Sequence, residues 1–410
     1  MSDVASLARN PRFVRLWTAR VVSRFGSALS YVVLLWLTFA ETHSALAVAY
    51  VGVAGFVPTV ALGLFSGALV DRFDRRRVIV LSTLGRGVAM GALVLSLEWL
   101  GFRLPVVLLA SVVFSVCATF FGPGSQALLP ELVPRASLAD ANGLFESTES
   151  MFGIAGNAAA GVLIVAVGAT PSLGIDAVAY FVAALFIGLI AVSATSPERT
   201  DRSEPLVHQV REGLSYLRHA VGLLELTVAA LVLNFLFAFV LTFLVVYSTQ
   251  LLHGGALVYA ALEALLAAGW GAGGLLVGRF GLTRYTGRIQ TYSAFAQGGV
   301  ILALVAGPTV LVALPVFFVA GIMQGIVNVS WLSTVQAIVP ERLQGRYFAT
   351  DNMVSFAAIP AAQILGGVLI VVSGLPFTFL AAGIGSIATG AVLLRFQELQ
   401  RVRYDARAPD

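Results

Sequence analysis

About twelve separate runs of predominantly apolar residues, each near twenty residues long, fill this chain almost from end to end. A helix needs about 20 such residues to cross the hydrocarbon core of a bilayer. Lipid offers no partner for backbone N–H and C=O groups, so each run must satisfy its own backbone as a helix. The expected spans are 16–40, 46–70, 78–99, 104–122, 143–168, 173–193, 222–250, 256–278, 289–307, 309–333, 348–373 and 375–395. The apolar residues are continuous rather than alternating, which argues against a membrane barrel. Only 11% of residues are charged, against roughly 25% in a soluble domain. The expected class is an all-α integral membrane protein with little room for a water-solvated domain.

Charge predicts the orientation of the spans. All 25 basic residues are arginine. With a cytoplasmic N-terminus and twelve helices, Arg9, Arg12, Arg15, Arg72 to Arg77 and the arginines of the 194–219 segment and the tail fall inside, and only Arg103 falls in an outside loop. That bias follows the positive-inside rule and predicts a multi-pass cell (inner) membrane protein with both termini in the cytoplasm. The net charge of +4 is then a feature of topology. No soluble basic face exists for nucleic acid to bind. The first apolar run lacks a cleavage site and is read as helix one rather than a signal peptide. Cys117 has no second cysteine to pair with and reads as a small buried hydrophobe. His43, His208, His219 and His253 are scattered, so neither a metal nor a cofactor is expected. No G-x-x-x-x-G-K-[ST] loop is present to bind ATP, and no enzyme activity is expected.

The chain reads as two halves. Residues 194–219 form the only long polar stretch, ending in REGLSYLRH, a candidate amphipathic surface helix. The expected organisation is a six-helix bundle over 1–193, a cytoplasmic linker over 194–219, a second six-helix bundle over 220–396 and a cytoplasmic tail over 397–410. The halves echo each other. VDRF at 70–73 returns as VGRF at 277–280, with Gly278 in the place of Asp71, and Pro134 and Pro340 each follow a valine before helices five and eleven. Internal repeats of this kind mark transporters.

The segment GALVDRFDRRRVIVLSTLGRG, residues 67–87, carries the pattern G-x-x-x-D-R-x-x-R-R in Gly67, Asp71, Arg72, Arg75 and Arg76. It resembles the signature loop between helices two and three of the major facilitator superfamily. The resemblance implies two pseudo-symmetric six-helix bundles and secondary transport by alternating access. The opening NPRFVRLWTARVVSRFGSALSYVVLLW resembles the twelve-helix drug-exporter branch that includes macrolide efflux proteins and enterobactin exporters. Asn10, Phe13, Leu16, Trp17, Ser23 and Gly26 match its pattern, while Ser27 stands where that branch has Asp. DRFDRRR, with Asp74, and LLPELVPRASLADANGL between helices four and five are similar to the same branch. By this resemblance Asp71 faces the positive N-terminus of a neighbouring helix, Arg75 or Arg76 pairs with an acid such as Glu131, and the loop gates the cytoplasmic side; the plainer reading is an arginine loop that only orients the chain. GIAGNAAAGVL at 153–163 resembles the antiporter motif G-P-x-x-G-G, with Gly153, Gly156 and Gly161 present and Asn157 in place of proline. Such small residues let helices approach closely. In the family this face seals the two halves, and ordinary helix packing is the alternative.

Transport chemistry is sought among polar groups inside the spans, because a charge in hydrocarbon is costly and calls for a partner or a role. Burial raises a carboxylate's pKa towards neutrality and suits it to carry a proton. Glu149 and Glu263 lie deepest and are the leading proton-coupling candidates, with Glu146 and Asp351 next; Glu146, Glu225 and Asp351 lie near cytoplasmic ends, where a solvated interfacial role is the main expectation. The alternative for Glu149 and Glu263 is an ion pair with Arg20, Arg24 or Arg86. Substrate pockets are mostly apolar with a few polar groups, which selects Tyr31, Trp36, Asn234, Phe235, Phe239, Gln324, Asn328 and Trp331, each of which also suits packing or lipid contact. The expected function is proton-coupled export of amphipathic small molecules by a monomer whose other partners are protons and membrane lipids. Alternatives are a lipid or lysolipid transporter and a solute–proton symporter. One elementary charge across 100 mV is worth about 2.3 kcal/mol, enough for roughly a fifty-fold gradient.

Overall fold

The computed structural model describes residues 7–70, 72–134, 137–190, 215–217, 222–280 and 286–396. Within them lie 12 helices long and apolar enough to cross a membrane. We number these α1 (Pro11–Thr42), α2 (Ala45–Val70), α3 (Arg75–Leu100), α4 (Leu104–Leu132), α5 (Leu138–Val167) and α6 (Ala169–Gly188) in the first half. The second half holds α7 (Leu223–Thr242, continued by Leu244–Val246 and a π-helical turn at Tyr247–Leu251), α8 (Ala256–Phe280), α9 (Thr286–Ala306), α10 (Val310–Ile338), α11 (Glu341–Phe356 and Ile359–Ser373) and α12 (Leu375–Leu393). Every expected span has its helix. The main boundary differences are at α1, α4, α5 and α11, which extend up to ten residues beyond the apolar runs into more polar flanking sequence.

Local chemistry sets the helix ends. Asn10 starts α1: its Oδ1 accepts from the N–H groups of Arg12 (3.0 Å) and Phe13 (3.3 Å), and Pro11 has no N–H to satisfy. The same side chain donates through Nδ2 to the carbonyl of Leu132 at 2.7 Å, tying the end of α4 to the start of α1. Asp74 caps α3 by accepting from the N–H of Arg77 at 2.8 Å. Gly168 and Gly374 turn α5 into α6 and α11 into α12 at φ 95° and 83° with ψ 166° and 160°, a region open only to glycine. α11 is interrupted at 357–358 because Pro360 lacks the N–H that would bond the carbonyl of Phe356.

The chain forms two compact units, Met1–Arg202 and Ser203–Asp410. In the first, α1 packs on α5 and α6, α2 on α4, and α3 on α4 and α6. In the second, α7 packs on α11 and α12, α8 on α10, and α9 on α10 and α12. Each pairing recurs six helices later, so the internal repeat is structural. Matching residues also do matching work. Val133 and Val339 end α4 and α10 with an N–H bonded to the carbonyls of Leu129 and Val335. Val70 and Val277 are buried at the ends of α2 and α8, and His43 and His253 both take φ 51° at the ends of α1 and α7. Of the expected amphipathic helix in the 194–219 segment, only 215–217 is described, as helix, with Leu217 buried among Leu223, Val339 and Tyr347. The rest of that segment and the 397–410 tail lie outside the described residues.

Candidate transport site

In the first unit two buried arginines organise the polar chemistry. Arg20 of α1 is 6% exposed and forms an ion pair with Glu149 of α5. Its Nη1 donates to Ser125 Oγ of α4 at 2.9 Å, and its guanidinium lies 4.3 Å above the ring of Phe145. Arg86 of α3 is 1% exposed. Its Nη1 donates to Ser23 Oγ at 2.5 Å, and the guanidinium sits between the rings of Phe121 and Tyr180 at 4.5 and 4.6 Å. Asp176 of α6, 2% exposed, accepts from Ser30 Oγ. Ser27 Oγ lies 3.1 Å from the hydroxyl of Tyr180. Ser23, Ser27 and Ser30 fall on one face of α1, turned to α3 and α6. Gly26 allows the approach: a Cβ there would collide with Asp176 Oδ1 and stand 3.0 Å from the Tyr180 hydroxyl.

The second unit is less charged inside. Glu263 of α8 is 7% exposed, and its Oε1 has no hydrogen-bond partner among the described residues. Asp351 of α11 is 4% exposed and accepts from Thr227 Oγ1 of α7 and, at 3.5 Å, from Ser355 Oγ. The expectation of a solvated Asp351 is therefore corrected. Position near a span end put it at the interface in sequence, but packing of α11 on α7 covers it. Glu146 is exposed, as a solvated acid would be. Gln297 of α9 donates through Nε2 to the carbonyl of Leu233 and to Ser386 Oγ, both at 3.1 Å, joining α7 and α12.

The arginine segment binds helix ends. Arg75 Nη1 donates to Glu131 Oε1 at 2.5 Å and to the carbonyl of Ala127 at 3.3 Å, both in the last turns of α4. Arg76 donates to the carbonyl of Gly188, and Arg15 Nη1 to that of Leu189 at 2.6 Å, at the end of α6. A cation at a helix C-terminus meets the negative end of its dipole and its unpaired carbonyls. Arg72 is exposed, Gly67 has open space around its Cβ position, and Asp71 lies outside the described residues. On α5, a Cβ on Gly156 would stand 2.9 Å from Ala28 Cβ, and one on Gly153 would stand 3.0 Å from Arg24 Nε. These two glycines face α1 of the same unit, as the ordinary packing reading expects. Gly161 is buried and Asn157 half-buried.

The sequence profile of the transmembrane secretion effector family matches residues 1–409. The chain belongs to this family of major facilitators. It is 28% identical over 412 residues to the multidrug efflux pump Tap of Mycobacterium tuberculosis strain H37Rv, covering 96% of this chain and 95% of that protein. It is 26% identical over 403 residues to macrolide efflux protein A of Streptococcus pyogenes, covering 95% and 97%. Among solved structures, a bacterial homologue of the human lysosomal transporter spinster matches with TM-score 0.72 at 15% identity over 97% of this chain and 99% of that one. The nucleoside transporter NupG matches with TM-score 0.74 at 10% identity over 94% and 100%. At such identities these structures share the fold. The facilitator is thus a multi-pass membrane transporter of small molecules and not an enzyme.

The facilitator uses several of the expected cavity residues for packing. Asn234 Nδ2 donates to the carbonyl of Ser355 at 3.0 Å, clipping α7 to α11. Phe239 is buried where a Cβ on Gly366 would reach its ring, with Phe235 edge-on at 5.2 Å. Trp331 meets Phe348 edge-on at 5.5 Å. Trp36 and Gln324 are half-buried, and Tyr31 and Asn328 are exposed. In the first unit a cavity of about 490 Å³, open to the surface, is lined by Leu69, Phe73, Leu81, Val116 and Phe120, with Arg77 and Cys117 also on its wall. Cys117 is half-buried rather than a covered core residue, because α2 leaves this space beside it. Sequence reasoning missed Asp176. The signal existed, as a carboxylate within an apolar run, but its closeness to the 173 end of the expected span hid it among boundary residues.

Proposed function

We propose that this facilitator exports amphipathic small molecules across the cell membrane by alternating access, driven by protons moving inward. Both termini and the 194–219 linker are on the cytoplasmic side in this reading, and the arginine segment with Asp71 gates that side. Export is supported by relatives that are efflux pumps for multiple drugs and for macrolides. Proton coupling rests on one observation: Glu263 is a nine-tenths buried carboxyl in a membrane helix with an oxygen that no described group bonds. A carboxyl in such a place with no counter-charge calls for a role, and a proton is a ligand that its unbonded oxygen can take up and give back as the surroundings change during transport. Glu149 is the weaker candidate, since Arg20 holds it as an ion pair.

The test is transport of a fluorescent dye in proteoliposomes under an imposed pH gradient. Glu263→Gln should lose uphill transport while downhill exchange survives, because exchange needs no proton to be loaded or released. Uphill transport at wild-type rates in Glu263→Gln would remove this residue from the coupling. A second reading, movement of lipids or lysolipids, is favoured by the apolar cavity open to the surface beside α2, α3 and α4. Reconstituted protein that moves a labelled lysolipid between leaflets and leaves dyes untouched would select that reading.

A further inference from the structure

The two units contain the same three-helix junction, made with different chemistry. In the second unit α7, α9 and α12 are joined by neutral groups: Gln297 bonds the carbonyl of Leu233 and Ser386 Oγ. In the first unit the corresponding helices α1, α3 and α6 meet at Arg86 and Asp176, which precede Gln297 and Ser386 by 211 and 210 positions. The repeat supplies its own control. Gln297 and Ser386 show that holding three helices together here requires no charge. Burying an arginine and an aspartate carries a desolvation cost that a neutral clip avoids, so their presence calls for another role.

The two charges are also not locked together. Among the described residues Arg86 and Asp176 form no direct ion pair: Arg86 bonds Ser23 and Thr83, its Nε is without a partner, and Asp176 takes its bond from Ser30. The charged and titratable groups that act on Asp176 are Arg86 from α3 and Tyr180 from its own helix. From α1 come only the hydroxyls of Ser23, Ser27 and Ser30. From α4, Cys117 lies beside Arg86. On α5, Glu149 is held by Arg20. A carboxylate balanced by a nearby cation, yet bonded only by a hydroxyl, takes up a proton without a salt bridge having to break.

We propose that Asp176, with Arg86 as its fixed counter-charge, is a proton-carrying carboxylate of the transport cycle. This rests on the reading of the protein as a proton-driven exporter. The carboxylate accepts H⁺ from one side and becomes the neutral acid; releasing H⁺ to the other side restores the carboxylate. In the acid form Asp176 donates where it had accepted, and Ser30, able to do either, reverses its bond. The charge of Arg86 is then unbalanced, which favours a different seating of α1 against α3 and α6. In that way proton occupancy biases helix arrangement.

The experiment compares wild type, Asp176→Asn and the double variant Arg86→Gln with Asp176→Ser, which gives the first unit the neutral junction of the second. Each is reconstituted and assayed with ethidium for uphill transport under a pH gradient, for exchange without one, and for substrate-linked proton flux. The double variant should stay folded, exchange within about twofold of wild type, lose uphill transport at least tenfold and show no substrate-linked proton flux. Asp176→Asn, which leaves Arg86 uncompensated, should lose uphill transport as well. Uphill transport and proton flux retained in the double variant would overturn the role of Asp176 and leave the proton-driven reading standing. Loss of exchange together with uphill transport in a folded double variant would also overturn it, in favour of a structural role. A wild type indifferent to the pH gradient would overturn the proton-driven reading itself, and this assignment with it.

Discussion

Carboxylates within the membrane helices divide by the company they keep. Glu149 has Arg20, Asp351 has Thr227 and Ser355, Asp176 has Ser30 with Arg86 nearby, and the Oε1 of Glu263 has no described partner. The same substitution should therefore have different consequences at different sites. Glu149→Gln strands Arg20, which keeps only Ser125 and the face of Phe145. Breaking a fully buried pair costs about 3–5 kcal/mol, and since 26% of the Glu149 side chain is exposed the loss should be smaller, about 2 kcal/mol. Uphill transport and exchange should fall together, in step with a lower melting temperature in detergent. A melting curve that matches wild type beside a selective loss of uphill transport would instead make Glu149 a coupling group. Asn10 gives a purely structural contrast. Asn10→Ala removes the α1 cap and the bond to the Leu132 carbonyl, and should cost about 1–2 kcal/mol. Chemical denaturation should register that loss, while transport per folded molecule stays unchanged.

At the scale of the helix, close approach in the second unit depends on paired small residues. Gly269 and Gly273 of α8 pack directly on the backbone of α10 around Gly321 and Gly325. A Cβ on Gly321 would stand 2.9 Å from Gly269 Cα and from the N of Trp270. These neighbours are backbone, so no side chain can rotate away and the helices must separate. Without a hydrophobic force between helices in lipid, such packing is a main source of association. Gly321→Ala should destabilise the protein by about 1–3 kcal/mol, read as a lower melting temperature. Gly271→Ala, on the same helix with nothing within 4 Å of its Cβ position, should leave stability unchanged or raise it slightly. Equal effects of the two would show that α8 and α10 are not held by glycine contact.

At the scale of the whole molecule, the repeat and the arginine bias make a sidedness prediction. A cysteine at Ser203 and one at Pro171, each in a Cys117-free background, should react with a membrane-impermeant thiol reagent from opposite faces of the membrane, Ser203 from inside. Labelling of both from outside would overturn the proposed topology. The two units use one plan, with the same helix pairings and the same terminal turns, and in the first unit arginines bind the ends of α4 and α6. Replacing Arg76 by alanine should leave the carbonyl of Gly188 without its cation. The expected result is faster local hydrogen exchange at the end of α6 with the rest of that unit unaffected; uniform exchange across the unit would show that this contact does not act locally.

The sequence alone determined the class, the number of helices and the family, because each of these is written in local terms. An apolar run of span length has one viable structure in lipid, and the arginine segment and the opening near Asn10 are contiguous strings. The pairing of Arg75 with Glu131 was also legible, through the family resemblance, which offered Arg75 or Arg76 for an acid such as Glu131. What local pattern could not reveal was which buried group meets which. Ser23, Arg86 and Asp176 are separated by tens of residues, and only the packing of α1 on α6 and α3 on α6 brings them together. For the same reason Asp351 read as solvated and is covered, and which of the readings open for Asn234 applies, a cavity lining or the packing contact that ties α7 to α11, could not be chosen from sequence. Hydropathy states that a residue lies in a membrane helix. Helix rotation and neighbour choice, which decide whether its side chain meets lipid, a partner or a proton, belong to tertiary structure.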